Sequence, residues 1–182
     1  GDVGDDPGLL TRTSLTDSDG NPISLRGTAA VCLNSVGDVA FGTTTGPCVH
    51  YAGDAKPTRI MLNGDPLPGG EFYGANYKPV INSARQVAFE AATKTDVSTY
   101  IAGIFADYAD SNGPALLLSA GDQAPGLPTG VTIRDFDAPC INANGDVLFH
   151  ANIQGDGVTG WNNSVLYLIK PGEPARLVAR KG

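Results

Sequence analysis

The sequence predicts an all-β fold of three tandem, four-stranded antiparallel units, each resembling a blade of a β-propeller. Three observations carry that prediction. An eight-residue motif recurs three times, apolar residues alternate with period two after each copy, and 24 Gly with 13 Pro in 182 residues punctuate the chain too densely for long helices. The copies are Asn34-Ser35-Val36-Gly37-Asp38-Val39-Ala40-Phe41, Asn82-Ser83-Ala84-Arg85-Gln86-Val87-Ala88-Phe89 and Asn142-Ala143-Asn144-Gly145-Asp146-Val147-Leu148-Phe149. Their asparagines lie 48 and 60 positions apart.

Each copy reads as a hairpin. A short apolar run precedes the asparagine: Val31 to Leu33, Pro79 to Ile81 and Pro139 to Ile141. The two prolines stand near the start of their strands, where a missing N–H is tolerated. Asn34, Asn82 and Asn142 then favour a turn, because an Asn side chain can bond backbone two residues on, while Gly37 and Gly145 accept positive φ. Arg85 replaces the turn glycine in the second copy, at a cost of about 1 kcal/mol for a left-handed residue. After the turn, Val39, Phe41 and Thr43 share one strand face, as do Val87, Phe89 and Ala91, and Val147, Phe149 and Ala151. Ala40, Ala88 and Leu148 centre the opposite faces, so both sides of each strand are at least partly apolar, as in a sheet packed between neighbours.

Two more apolar runs follow each phenylalanine: Cys48 to Tyr51 and Arg59 to Leu62, Gly103 to Tyr108 and Ala115 to Ser119, Ser164 to Ile169 and Ala175 to Ala179. Cutting at the Gly-Asp turns divides the chain into modules 1–64, 65–121 and 122–182, packed as one domain. Propellers have about four to eight blades, so three cannot close a ring alone. The alternatives are a longer array, a ring shared between chains, or stacked sheets. Both termini fall at the same phase of the module, which leads us to expect a homo-oligomer or polymer assembled head to tail or by strand exchange.

With 12 basic and 19 acidic side chains the net charge is -7, a poor match for nucleic acid or anionic membrane. No apolar run reaches the roughly 20 residues of a membrane span, and no N-terminal stretch reads as a signal peptide.

Candidates for chemistry are sparse. Cys32 and Cys48 form a possible disulfide, against which stands a separation of about 9.6 Å if one strand lies between theirs; Cys140 is the third thiol. Asp17 and Asp19 before Gly20 are weak cation ligands and more simply a hairpin turn, as are Asp107, Asp110 and Asn112 before Gly113. His50 and His150 lie in or beside strands of different modules, and no nucleophile-elbow motif accompanies them. Asp135 and Asp137 alternate around Phe136, a pattern compatible with a propeller-type hydrolase and equally with a solvated strand face. Trp161, Tyr73 and Tyr77 sit on or beside loops where rings can stack on sugars, and Asn162-Asn163-Ser164 is formally a glycosylation acceptor.

The repeat resembles that of bacterial tandem-repeat proteins defined by an Asn-x-x-Gly-x-x-Ala-Phe motif, which carry various C-terminal cell-surface anchors. The first copy matches at Asn34, Gly37, Ala40 and Phe41; the second departs at Arg85 and the third at Leu148. The resemblance implies an exported or surface-attached protein with no established catalytic activity. The resulting expectation is a non-enzymatic extracellular or cell-surface structural or interaction protein, self-associating into a filament or array and needing no cofactor. A carbohydrate-binding module contacting surface glycans is the alternative.

Overall fold

The computed structural model describes residues 15–25, 31–74, 78–108 and 113–182, and every regular element among them is a β-strand. Fifteen strands form three antiparallel sheets. The first holds β1 (Val31–Leu33), β2 (Val39–Gly42), β3 (Pro47–His50) and β4 (Thr58–Arg59) in sequence order. The second holds β5 (Pro66–Leu67), β6 (Gly70–Tyr73), β7 (Val80–Ile81), β8 (Val87–Lys94), β9 (Tyr100–Asp107) and β10 (Ala115–Ser119). The third holds β11 (Thr132–Phe136), β12 (Cys140–Ile141), β13 (Val147–Gln154), β14 (Ser164–Ile169) and β15 (Arg176–Arg180).

The sheets therefore contain four, six and five strands rather than four each. One extra strand in each of the second and third sheets arises because the edge beside the long central strand is interrupted, and β5 adds a further one as a hairpin with β6. Along β8, β7 pairs with Val87 and Ala88, whereas β6 pairs with Ala92 to Lys94. Along β13, β12 pairs with Val147 and Leu148, and β11 with Ala151 to Gln154. Pro79 and Pro139 stand at these interruptions, and a residue without an N–H cannot continue the ladder. In the first sheet the corresponding far segment is reduced to one bridge, Leu25 opposite Thr43.

The sheets stack face to face. Val87, Phe89 and Ala91 of β8 pack with Ala40, Val49 and Met61 of the first module. Ala88 on the opposite side of β8, with Ile104 and Ala106 of β9, packs on Val147, Phe149 and Ala151 of β13. Alternation along one strand thus serves two cores, which explains why both its faces are apolar. Phe89 stacks on Phe105 with centroids 5.7 Å apart, and Phe72 meets both rings edge-on at 6.1 Å. Tyr167 is also buried, its hydroxyl donating to the Pro125 carbonyl at 2.9 Å.

The Cys32–Cys48 staple is absent: all three cysteines are free. Strand β2 separates the two residues, and the pairings of Cys32 with Ala40 and of Cys48 with Phe41 put them on opposite faces. Burial pushes the Cys48 thiol up to about 11, so it is unreactive at neutral pH.

Candidate functional site

The three asparagine turns are nearly superimposable in their bonding. Each Asn Oδ1 accepts from the backbone N–H groups two and four residues on, at 2.9 to 3.1 Å: Val36 and Asp38, Ala84 and Gln86, Asn144 and Asp146. Each Asn Nδ2 donates to the side chain of that fourth residue, Asp38, Gln86 or Asp146. The positions three residues after Asn are all left-handed, with φ of 92° at Gly37, 63° at Arg85 and 84° at Gly145. At Gly145 a Cβ would also lie 2.7 Å from Gln86 Oε1 of the preceding turn, a contact that the end of the Gln86 side chain would have to shift to relieve.

The amide also reaches between sheets. Asn34 Nδ2 donates to the Asn82 carbonyl at 2.9 Å, and Asn82 Nδ2 donates to the Asn142 carbonyl at 2.8 Å. Ser35 and Ser83 hydroxyls are joined at 2.7 Å beside it. Arg85 adds a cross-link, its Nε lying 3.2 Å from Asp38 Oδ2 and its guanidinium 4.8 Å over the Tyr51 ring. Asp38 is fully buried; burial raises its pKa, but hydrogen bonds from Ala52, Asn34 and Arg85 outweigh that and hold the carboxylate low.

Among the described residues the last turn of the ladder belongs to the third sheet, whose outward face carries the richest polar chemistry described. Since Val147, Phe149 and Ala151 point into the core, Leu148, His150 and Asn152 point out. Leu148 pairs with Leu168 and His150 with Leu166, making an apolar centre. Towards the other end of the strands His150 Nδ1 lies 2.7 Å from Asp137 Oδ2, and its Nε2 lies 2.5 Å from Ser164 Oγ. Next to them Asn152 Nδ2 donates to Asp135 Oδ1, which Arg134 Nε also holds through Oδ2 at 2.7 Å. Burial pulls the Asp135 pKa up, and these two bonds pull it down further, leaving it low.

Position 90 of β8 corresponds to position 150 of β13, and there the second sheet carries Glu90 between two sheets. Burial, followed by repulsion from Asp137 and Asp135, raises its pKa to about 7 against the attraction of Lys78. A carboxyl raised in the fold binds more protons there than in the unfolded chain between about pH 4.5 and 7, so its contribution to stability falls as pH rises through that window. Glu90→Gln is expected to flatten that dependence and to raise stability at pH 8 by about 1 kcal/mol, allowing for partial solvent screening. Urea unfolding midpoints of both proteins at pH 5 and 8 check this.

Residues 9–182 match a family of unknown function (DUF7453). The chain belongs to that family. No curated protein and no solved structure matches the chain. Membership in DUF7453 thus assigns no chemistry to these residues.

Asp17 forms the turn rather than a cation site: its Oδ1 accepts from Asp19 and Asn21 N–H groups and its Oδ2 meets Arg59 Nε at 2.8 Å. Asp19 is exposed beside it. Tyr73 packs on Tyr100 with centroids 4.7 Å apart, whereas Trp161, 81% exposed, lies under Lys181 Nζ on the third sheet. Tyr77, Asp110 and Asn112 fall outside the described residues. The sequence carried no signal for joining Asp137, His150 and Ser164, because they lie 13 and 14 residues apart and meet only through cross-strand pairing.

Proposed function

We propose that the protein is an extracellular or cell-surface structural protein that self-associates head to tail, the third sheet of one copy stacking on the first sheet of the next. Its three sheets act as blade-like units in a continuing pile. The observation that carries this reading is the asparagine ladder, which among the described residues runs from the first turn to the third. Asn142 has the same side chain and turn as Asn82 but, among the described residues, no following turn to reach. The two end faces supply the complementary surface. On the first sheet Val31 and Leu33, 68% and 69% exposed, pair with Phe41 and Val39; on the third, Leu166 is 37% exposed beside the Leu148–Leu168 pair. Two different faces meeting make a heterologous contact, which propagates or closes a ring. Extracellular placement is supported by the likeness of Asn34 to Phe41 to surface repeat proteins.

Light scattering and electron microscopy over rising concentration test the assembly. Oligomers are expected, and Leu166→Lys, which would bury an unpaired charge, is expected to dissolve them while leaving the circular dichroism unchanged. Monomers alone at millimolar concentration would contradict the proposal.

A further inference from the structure

We propose that Ser164 is a nucleophile, activated by His150 and Asp137, that takes acyl groups from activated esters. This goes beyond self-association and does not rest on it.

Three adjacent strands bring the groups into one row. Asp137 follows β11, where its N–H donates to the His150 carbonyl at 3.0 Å, and Ser164 opens β14. The carboxylate on Nδ1 determines the tautomer: Nδ1 carries the hydrogen of the neutral ring, leaving the Nε2 lone pair to accept from the Ser164 hydroxyl. Base, orienting acid and hydroxyl are thus connected in the order that nucleophilic catalysis needs. The His150 side chain is 30% exposed in the single chain, so the row is open to solutes in the monomer and in the last copy of a pile, and is covered in every copy that another stacks upon. Asn152 pairs directly with Ser164, which puts their Cβ atoms about 5 Å apart on one face. One of its amide hydrogens goes to Asp135, and the second is available to an oxyanion formed at Ser164.

The step balances within these groups. Ser164 Oγ bonds to the ester carbonyl carbon as its proton passes to His150 Nε2. The tetrahedral adduct then breaks the bond to the alkoxide, which leaves with that proton. Water, deprotonated by His150, releases the acyl group as a carboxylic acid and restores the serine.

The test uses the intact protein with a fluorophosphonate probe and with p-nitrophenyl acetate. In the first reaction the Oγ–P bond forms, fluoride leaves and Nε2 takes the proton. One phosphonyl adduct, located on Ser164 by peptide mass spectrometry, is expected and should vanish in Ser164→Ala. His150→Gln should slow labelling and ester turnover at least tenfold, with loss of the pH dependence, and Asp137→Asn should slow both to a lesser extent. All three variants alter a solvent-accessible row, and unchanged circular dichroism reports that each is folded. Absence of a Ser164 adduct in the wild-type protein, or labelling as fast in folded His150→Gln, would overturn the assignment and reduce the row to a structural hydrogen-bond network.

Discussion

Phe89→Ala is expected to destabilise the protein by about 3–5 kcal/mol and to lower its melting temperature by roughly 8–16 °C. Phe89 has no exposed surface, stacks on Phe105, and receives the edge of Phe72, so truncation opens a void that the three-ring cluster cannot fill by a rotamer change. The same substitution at the equivalent positions provides an internal scale. Phe149, 2% exposed and in contact with the Phe136 and Tyr167 rings, should cost about as much. Phe41 is half-buried on the outward face of the first sheet and should cost only about 1–2 kcal/mol. Calorimetry on the three variants measures the series, and equal losses would show that the sheets do not stack through this position.

This gradient follows directly from a pattern the sequence displays. Period two in Val-x-Phe marks one face, Ala88 marks the other as apolar too, and a strand dry on both sides must lie between sheets. The turn was equally legible, since Asn and Gly each have one dominant reason to be there, and Arg85 adopts the left-handed backbone that its alignment with Gly37 and Gly145 requires. What stayed illegible depends on contacts between distant strands. Periodicity counts strands but does not show that Pro79 and Pro139 split an edge in two, nor that Cys32 and Cys48 face opposite ways. The row of Asp137, His150 and Ser164 is hidden for the same reason. Its members belong to three segments whose register is set by bulges, including the shift between Ile133 and Asp135.

Asn82→Ala is expected to cost about 3 kcal/mol. Asn82 is 5% exposed, and its side chain makes four bonds: two accepted from Ala84 and Gln86 N–H groups, and two donated to Gln86 Oε1 and the Asn142 carbonyl. At roughly 0.5–1.5 kcal/mol each their net loss reaches that value, and alanine leaves the partners short of a bond inside the stack. Asn142→Ala removes three bonds from an exposed turn that, among the described residues, donates to no further sheet, and in dilute solution should cost about 1 kcal/mol. The comparison separates the turn from the ladder, because both residues make the same intra-turn bonds and differ in the one that reaches across. Equal losses in denaturant titrations of dilute protein would assign the whole effect to the turn. In the proposed head-to-tail pile, however, Asn142 would be an interior residue whose amide donates to the Asn34 carbonyl of the next copy. There its removal should weaken association even though the isolated chain barely notices, so Asn142→Ala should raise the concentration needed for oligomers several-fold while shifting the monomer's unfolding midpoint little.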